Sequence, residues 1–331
     1  MKFKNIFILS IFCTAVMFYS CSKEIKQEIS KPLYELQKNN NIPKFDGSNA
    51  YTQVEAQVKF GPRNPGSKGH QAALNYIRNE LKKYTVDVEL QNFTFPGYDS
   101  TTLRLTNIIA KFNPGKKNRI MFFAHWDTRP RAEHATKTAL KDKPILGAND
   151  GASGCGVLLE LAGILKDNKI NYGVDLVFLD GEDYGKEHDL NNFCLGSKYF
   201  AANYPTDKMP VFGVLLDLVG DKQAVFEREG SSDKFAPAVV SLIWNIAQQL
   251  NLTVFSQEGG SEIYDDHIPL NQAGLITADI IDADLVGADT PVKRRNYWHS
   301  ENDTMENISK DTLQQLGDVL TYLIYSLKFN S

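Results

Sequence analysis

Residues 174–183 have the sequence VDLVFLDGED, an apolar run that ends in three acids within four positions. The run over 174–179 is almost entirely apolar, which is typical of a strand covered on both faces of a sheet. In open α/β sheets, ligands bind beside the carboxyl ends of such strands. The acids Asp180, Glu182 and Asp183 are therefore predicted to lie at a ligand-binding edge.

Strands and helices are predicted to alternate along the rest of the chain. Further strands are predicted from apolar or alternating runs at 86–95, 103–112, 120–124, 211–216 and 275–281. Helices are predicted between and around them at 67–83, 155–166, 196–203, 235–250 and 311–327. This order predicts an α/β fold, a three-layer α/β/α sandwich with a central mixed, mostly parallel sheet.

The domain organisation follows from length and composition. With 331 residues and 42% hydrophobic content, the chain can bury one large core, so we expect a single domain over residues 50–331. Residues 22–49 are polar and lack sustained periodicity, which predicts a tether or N-terminal arm outside the core. The net charge of −4 and the scattered lysines and arginines argue against a nucleic-acid partner, because phosphate binding requires clustered positive charge.

The first 21 residues resemble an export signal of the lipoprotein type. Lys2 and Lys4 give it a positive start, and residues 6–19 form an apolar run too short to span a membrane comfortably. Cys21 ends this segment, as in the lipobox of bacterial lipoproteins, where the cysteine carries the lipid. We therefore expect an exported protein, either periplasmic or anchored to the outer membrane by lipid. Ordinary cleavage nearby, giving a soluble secreted product, is the alternative.

The predicted domain contains two of the four cysteines, Cys155 and Cys194. An oxidising compartment permits a disulfide between them, and two buried thiols are the alternative. One pair cannot define a disulfide-rich scaffold, so the fold must depend on its apolar core.

Acidic and imidazole residues follow several of the predicted strands or precede a predicted helix. They are His125, Asp127, Asp150, Asp180, Glu182, Asp183, Asp217 and His299. A single acid in such a place is usually structural, because acids favour turns and helix starts. Clustered carboxylates repel one another, so their convergence at one edge predicts a bound cation. Carboxylates with an imidazole, and without thiolates, match the ligand set of a catalytic zinc that keeps one position open.

Short motifs around these residues resemble known enzymes. Those that resemble the zinc-dependent exopeptidase superfamily are NDG at 149–151, DGED at 180–183 and the late histidine at 299. Those that resemble its type II glutaminyl cyclase branch, the animal-like and bacterial enzymes, are LLDLVG at 215–220, DDHIPL at 265–270 and the Trp-His pair at 298–299. The resemblance runs in register from about residue 125 to residue 327.

The resemblance implies a reaction and a metal site. One zinc ion per chain would be held by Asp150, Asp183 and His299, and the adjacent Glu182 would carry protons. The implied substrates are peptides or proteins with an N-terminal glutamine, which is converted to pyroglutamate with release of ammonia. Zinc would polarise the carboxamide that the substrate's own α-amine attacks. The chain is thus predicted to be a zinc-dependent glutaminyl cyclase, an aminoacyltransferase.

The resemblance also implies roles for three residues near the metal. Asp217 and Asp265 would complete a hydrogen-bond network of acids with coupled titrations, and Trp298 would form one wall of the substrate pocket. Each has a structural alternative. Asp217 could cap a turn, Asp265 could be the N-cap of a helix that begins at 266–270, and Trp298 could be buried for its area alone.

Two other functions remain open at this point. A di-zinc aminopeptidase of the same superfamily would bind a second zinc through His125 and Asp217, with Asp150 bridging the two ions. A non-catalytic surface lipoprotein would keep the fold only for binding. We expect the cyclase because the DDHIPL and Trp-His segments resemble that branch, and because the ligands and Glu182 are all retained.

Overall fold

A computed structural model describes residues 33–205 and 209–330 of the chain. The predicted signal segment at 1–21 lies outside the described residues, as do residues 22–32 of the predicted tether. Among the described helices, none combines the length and the apolar composition that a membrane crossing requires.

The described residues form ten strands and eight α-helices. The strands are β1 (Tyr34–Leu36), β2 (Val88–Pro96), β3 (Thr102–Phe112), β4 (Arg119–His125), β5 (Gly173–Leu179), β6 (Phe212–Asp217), β7 (Phe226–Arg228), β8 (Phe255–Gly259), β9 (Thr277–Ile281) and β10 (Leu327–Phe329). The helices are α1 (Gly47–Val58), α2 (Lys68–Tyr84), α3 (Ala152–Asp167), α4 (Leu195–Asn203), α5 (Gly230–Phe235), α6 (Pro237–Gln249), α7 (His267–Gln272) and α8 (Lys310–Ser326).

A six-stranded sheet with the order β2-β3-β5-β4-β6-β9 forms the centre of the fold. Strands β5, β4, β6 and β9 pair in parallel, and β3 pairs antiparallel with both β5 and β2. Every residue of β4, β5, β6 and β9 is buried, as expected for strands covered on both faces. The predicted mixed, mostly parallel sheet is confirmed.

Side chains of the central strands alternate between two apolar layers. On β4, Ile120 and Phe122 face the larger core, to which α1, α2, α3, α6 and α8 contribute. Met121 and Phe123 face the opposite side, where α4 and α7 supply Phe200 and other apolar residues. Helices therefore cover both faces of the sheet, and the predicted three-layer sandwich is confirmed.

Helix α2 shows how local sequence sets an element's boundaries. The side chain of Ser67 accepts a hydrogen bond from the backbone N–H of His70 at 3.0 Å and so caps the first turn. Ala73, Ile77 and Leu81 then recur every four residues and form the buried face. The helix predicted over 67–83 is confirmed within one residue at each end.

The helix predicted over 235–250 is confirmed as α6, and the residues just before it form a separate short helix, α5. Helix α5 ends at Phe235, and α6 begins at Pro237. Proline lacks a backbone N–H and fixes its own φ, so it suits the first turn of a helix and disrupts an interior position. The break at Ala236 follows from this property.

The prediction that residues 22–49 lie outside the core is wrong for the residues that the structure describes, 33–49. Strand β1 pairs antiparallel with β10, and Phe45 is buried in the main core. A Cβ atom at Gly317 would lie 2.1 Å from the Phe45 ring, so the ring packs directly on the α8 backbone. Helix α1 begins at Gly47, before the expected domain start at residue 50. Isolated apolar residues make these contacts, which is why no periodicity revealed them.

Cys155 and Cys194 are both free and buried. The alternative of two buried thiols is therefore confirmed, and these two side chains contribute to packing and hydrogen bonding.

Replacing Phe45 by Ala should lower the free energy of unfolding by about 3–5 kcal/mol, because it removes a buried aromatic ring and leaves a cavity. Urea unfolding measures this change. Leu33→Ala is the control, because Leu33 is 54% exposed and its truncation should leave stability almost unchanged. Equal stability of Phe45→Ala and the parent would show that the N-terminal segment is not part of the folded domain.

Candidate functional site

The carboxyl edge of the sheet opens into a chamber of about 70 Å³. Seven of the residues predicted to bind metal, catalyse the reaction or contact substrate line it: Asp150, Glu182, Asp183, Asp217, Asp265, Trp298 and His299. They come from segments that are far apart in the sequence, and the fold brings them together. Their individual roles stay predictions.

Asp150, Asp183 and His299 form a cluster with the spacing of metal ligands. His299 Nε2 lies 3.5 Å from Asp150 Oδ2 and 3.4 Å from Asp183 Oδ1. Bonds of about 2.1 Å at tetrahedral angles separate two zinc ligand atoms by about 3.4 Å. All three residues are buried, and Asp183 Oδ2 has no hydrogen-bond partner among the described residues. Two carboxylates, one imidazole and an unsatisfied oxygen fit a zinc ion.

Two further buried carboxylates hold the backbone of the ligand loops. Asp303 accepts hydrogen bonds from the N–H groups of Asn149, at 2.8 Å, and Asp150, at 3.1 Å. Asp127 accepts from the N–H of Asp183 at 3.3 Å and from that of the preceding residue at 3.1 Å. These hydrogen bonds fix the backbone of Asp150 and Asp183 and thereby orient the side chains of the two ligands.

A buried arginine stabilises the charge of Asp183. Arg129 Nη1 donates to Asp183 Oδ1 at 2.5 Å, and the other guanidinium nitrogens bind Glu133 at 2.7 and 2.8 Å. Burial raises the pKa of Asp183, but the positive charges of His299 and Arg129 outweigh it and hold the pKa below its ordinary value. Asp183 is therefore held in the carboxylate form that a metal requires.

Glu182, next in sequence to Asp183, has the opposite electrostatic environment. Burial and the Asp183 charge raise the pKa of Glu182 well above its ordinary value. Burial and the Asp217 charge raise the pKa of Asp265 to about 7. Cys194 Sγ donates to Glu182 Oε1 at 3.6 Å, and ligand-type atoms of Glu182, Cys194 and Asp265 lie within 4.8 Å of one another. Glu182 therefore keeps its proton to a higher pH than a free glutamate does, and the pKa of Asp265 lets that carboxyl gain or lose a proton near neutral pH.

The residues of the proposed second zinc site also lie together. His125 Nε2 is 3.2 Å from both Asp150 Oδ1 and Asp217 Oδ1, and His125 Nδ1 is 3.6 Å from Asp127 Oδ1. Burial lowers the pKa of His125, but the neighbouring carboxylates of Asp127, Asp150 and Asp217 raise it well above the ordinary value. The ligand-type atoms of His125, Asp150 and Asp217 also lie within 4.8 Å of one another, so the geometry of this second cluster admits a metal ion as well.

The structure also tests the purely structural roles considered for Asp265, Asp217 and Trp298. Asp265 is not a helix N-cap, because α7 begins at His267 and the N-cap position is Asp266. Asp217 Oδ1 accepts from the next backbone N–H at 2.8 Å, so a turn contact coexists with its place in the chamber. Trp298 is only partly buried, and its ring stacks on His299 with centroids 3.4 Å apart.

Asp180 does not reach the chamber, contrary to the expectation for this strand end. Its carboxylate binds His70 Nε2 at 2.9 Å and accepts the backbone N–H of Thr106 at 2.6 Å. This pair of bonds ties α2 to the sheet. Asp180 is therefore structural, because the side chains of successive residues at the strand end point to opposite faces.

The contributions of three residues to the site were not predicted from the sequence: Arg129, Asp303 and Cys194. No local sequence pattern indicates that an arginine will be buried. Asp303 follows His299 by four residues in a polar stretch without periodicity, so its contact with the ligand loop could not be predicted. The only sequence signal for Arg129 is its position four residues after His125, in the segment that follows a buried strand.

A family model described as peptidase family M28 matches residues 107–324. The chain belongs to this family. Among solved structures it is similar to a glutaminyl cyclase from Bacteroides thetaiotaomicron, with 40% identity over 86% of this chain and 99% of that chain and a TM-score of 0.81. It is similarly related to Tannerella forsythia glutaminyl cyclase, with 38% identity over 86% and 99% of the two chains and a TM-score of 0.81. The predicted membership of the glutaminyl cyclase branch is confirmed.

One of the similar solved structures is described as an aminopeptidase. A leucine aminopeptidase precursor from Bacteroides thetaiotaomicron shares 39% identity over 86% of this chain and 98% of that chain, with a TM-score of 0.80. Several relatives and similar structures are nevertheless described as glutaminyl cyclases, among them the cyclotransferase of Bos taurus at 26% identity over 79% of this chain and 77% of the relative.

Replacing Asp303 by Asn should weaken zinc binding by at least about tenfold, because an amide NH₂ would face one of the two N–H groups that now orient Asp150. Competition with a chelator measures the zinc affinity. Glu301→Gln is the control, because Glu301 lies two residues away and accepts hydrogen bonds from Thr136 at the surface. Unchanged affinity in Asp303→Asn would contradict a role for Asp303 in positioning the ligand loop.

Proposed function

We propose that this chain is a glutaminyl-peptide cyclotransferase that uses one zinc ion per chain. It would convert the N-terminal glutamine of peptides or proteins to pyroglutamate and release ammonia. One observation carries the proposal: the cluster of Asp150, Asp183 and His299 lines the same small chamber as Glu182 and Asp265. That chamber thus combines a metal site with two acids that can hold protons.

Asp150, Asp183 and His299 would hold the zinc ion. When bound there, zinc supplies a positive charge that polarises the γ-carboxamide carbonyl and stabilises the charge developing on its oxygen. The nucleophile is the substrate's own α-amine, so the enzyme needs no nucleophilic side chain. Trp298 would hold the glutamine side chain folded toward its amine, which raises the effective concentration of the two groups.

Glu182 would transfer the proton. As the α-nitrogen bonds to the carboxamide carbon, Glu182 accepts a proton from that nitrogen and delivers it to the departing ammonia. Ligand-type atoms of Asp265 and Glu182 lie within 4.8 Å of each other, and the Cys194 thiol donates to Glu182 and orients its carboxylate. Burial raises the pKa of Cys194 well above its ordinary value, so the thiol remains a donor.

A specific observation favours a second candidate, a di-zinc aminopeptidase. His125, Asp150 and Asp217 also have ligand-type spacing, and a similar structure is described as a leucine aminopeptidase precursor. We favour the cyclase because curated relatives and several similar solved structures are described as glutaminyl cyclases. The proposal that the enzyme is exported and carries lipid on Cys21 is supported by the sequence of residues 1–21 alone.

Incubation of the purified domain with a Gln-initiated peptide should release one ammonia per peptide molecule. The peptide should keep all of its residues. Mass spectrometry should show a loss of about 17 Da, the mass of ammonia, and an ammonia assay should match it. Free glutamine together with a truncated peptide would instead identify an aminopeptidase and reject the cyclase.

Replacing Glu182 by Gln should reduce kcat by at least about a hundredfold, because the proton carrier is lost while the metal ligands remain. Zinc content, measured by atomic emission, should stay at the parent level. Glu182→Asp, which keeps a carboxylate, should retain more activity than the Gln variant. Near-parental turnover in Glu182→Gln would refute the proposed role.

A further inference from the structure

The central sheet has a second edge, where its parallel strands begin, and this amino edge lies opposite the catalytic chamber. Leu33, the first described residue, lines a hollow there with Arg119 and Asp175, which lie near the starts of β4 and β5. The chamber lies at the carboxyl ends of the same strands. The length of β4, at about 3.3 Å per residue, separates the two edges by about 20 Å. The N-terminal segment therefore joins the domain on the side away from the chamber.

Three loops lie side by side at the amino edge, and they span residues 85–87, 113–118 and 168–172. Thr85 Oγ1 donates a hydrogen bond to the backbone carbonyl of Lys111 at 2.9 Å, which joins the first loop to β3. Asn113 Nδ2 donates to the carbonyls of Ile170, at 3.1 Å, and Tyr172, at 2.9 Å, which joins the second loop to the third. These loops, with the last turns of α2 and α3 that lead into them, form one continuous surface, the amino-edge surface.

The amino-edge surface carries an excess of positive charge. Its exposed lysines without a paired carboxylate are Lys82, Lys116, Lys117, Lys166 and Lys169. None of these five forms an ion pair within the part of the chain that the structure describes, whereas the neighbouring Lys83 and Lys111 are paired with glutamates at 2.5 and 2.7 Å. Asp87 and Asp167 are the acids of the surface, so positive charge predominates. Such lysines attract anionic lipid headgroups.

An apolar side chain also projects from this basic surface. Val86, at the centre of the first loop, is 101% exposed and is the most exposed of the large apolar side chains that the structure describes. The fold does not bury it, so only a partner outside the domain can remove it from water. Apolar side chains beside lysines are typical of proteins that lie on a bilayer, where interfacial burial and attraction to anionic headgroups act together.

The proposed lipid anchor is connected to the same edge of the domain. Leu33 lines its hollow together with Lys116 and Lys117 of the amino-edge surface. Residues 22–32 link Cys21 to Leu33, and a chain of that length reaches at most about 40 Å when it is fully extended. A lipid on Cys21 would therefore hold the amino-edge surface close to the bilayer, and the chamber would lie farther from it.

We propose that the amino-edge surface lies against an anionic phospholipid bilayer, with its lysines at the headgroups and Val86 in contact with lipid, so that the catalytic chamber opens away from the membrane. This inference rests on the proposed lipid anchor at Cys21 and goes beyond the proposed cyclase activity, on which it does not depend. An enzyme held in this orientation would act on peptides and proteins in solution, because its chamber does not face the bilayer.

The orientation can be measured by energy transfer in vesicles of phosphatidylcholine and phosphatidylglycerol that carry the full-length lipidated protein and an acceptor dye on the lipid headgroups. A donor dye is placed at Lys117→Cys, on the amino-edge surface, or at Lys141→Cys, an exposed position beyond the carboxyl end of β4. Cys155 and Cys194 are buried and should remain unlabelled. Transfer from position 117 should be at least about twice that from position 141, because the two edges are about 20 Å apart.

Equal transfer from the two positions, or greater transfer from position 141, would overturn the proposed orientation. Recovery of the protein without lipid on Cys21 would overturn the anchor and the orientation together. Neither result would affect the cyclase proposal, because release of ammonia from a Gln-initiated peptide is measured separately.

Lys116→Glu/Lys117→Glu tests the electrostatic contact. Transfer from a donor at Lys169→Cys should fall by about twofold, because repulsion from anionic headgroups replaces attraction. Lys137→Glu/Lys143→Glu is the matched control, because it makes the same charge change at exposed positions beyond the carboxyl end of β4, and transfer should stay at the parent value. Vesicles of phosphatidylcholine alone should lower transfer in the parent protein by the same factor. Unchanged transfer in Lys116→Glu/Lys117→Glu would overturn the electrostatic contact.

Val86→Asp tests the apolar contact in the same vesicles. Transfer from the donor at Lys169→Cys should fall by about a third, because a carboxylate cannot enter the bilayer interface as an apolar side chain does. Val225→Asp is the control, because Val225 is also exposed, at 37%, and lies between β6 and β7, outside the amino-edge surface. The thermal unfolding midpoint should stay at the parent value in both variants. Unchanged transfer in Val86→Asp would overturn the apolar contact.

Discussion

Repulsion between buried carboxylates at the carboxyl edge of the sheet is the constraint on which the site depends. Asp150 and Asp183 are held close to each other by a fold that removes them from water, an arrangement that is unfavourable without positive charge. Arg129 supplies part of that charge, and a zinc ion would supply the rest. Further buried acids are satisfied by backbone N–H groups, as Asp303 is, so they orient the ligand loops.

The same constraint separates two neighbouring acids into two chemical states. Asp183 lies against cationic groups, which hold its pKa low, whereas Glu182 lies among other carboxylates and its pKa is raised. One residue is therefore suited to binding metal and the next to carrying a proton. His125, surrounded by three carboxylates, is held as a hydrogen-bond donor.

The sequence predicted the features that depend on local pattern. The buried strands are continuous apolar runs, and the residues that follow them can be assigned to one edge of the sheet by topology alone. Asp180 shows the limit of that rule, because its side chain faces α2 and not the chamber. Phe45 and Arg129 could not be predicted, because their burial arises from contacts with segments that are distant in sequence.

The claim that one metal ion serves this site is tested most directly by anomalous X-ray scattering at the zinc edge from crystals of the active enzyme. We expect a single anomalous peak, located between the side chains of Asp150, Asp183 and His299. A second peak of comparable height between His125, Asp150 and Asp217 would contradict it and would assign the chain to the two-metal chemistry of the aminopeptidases.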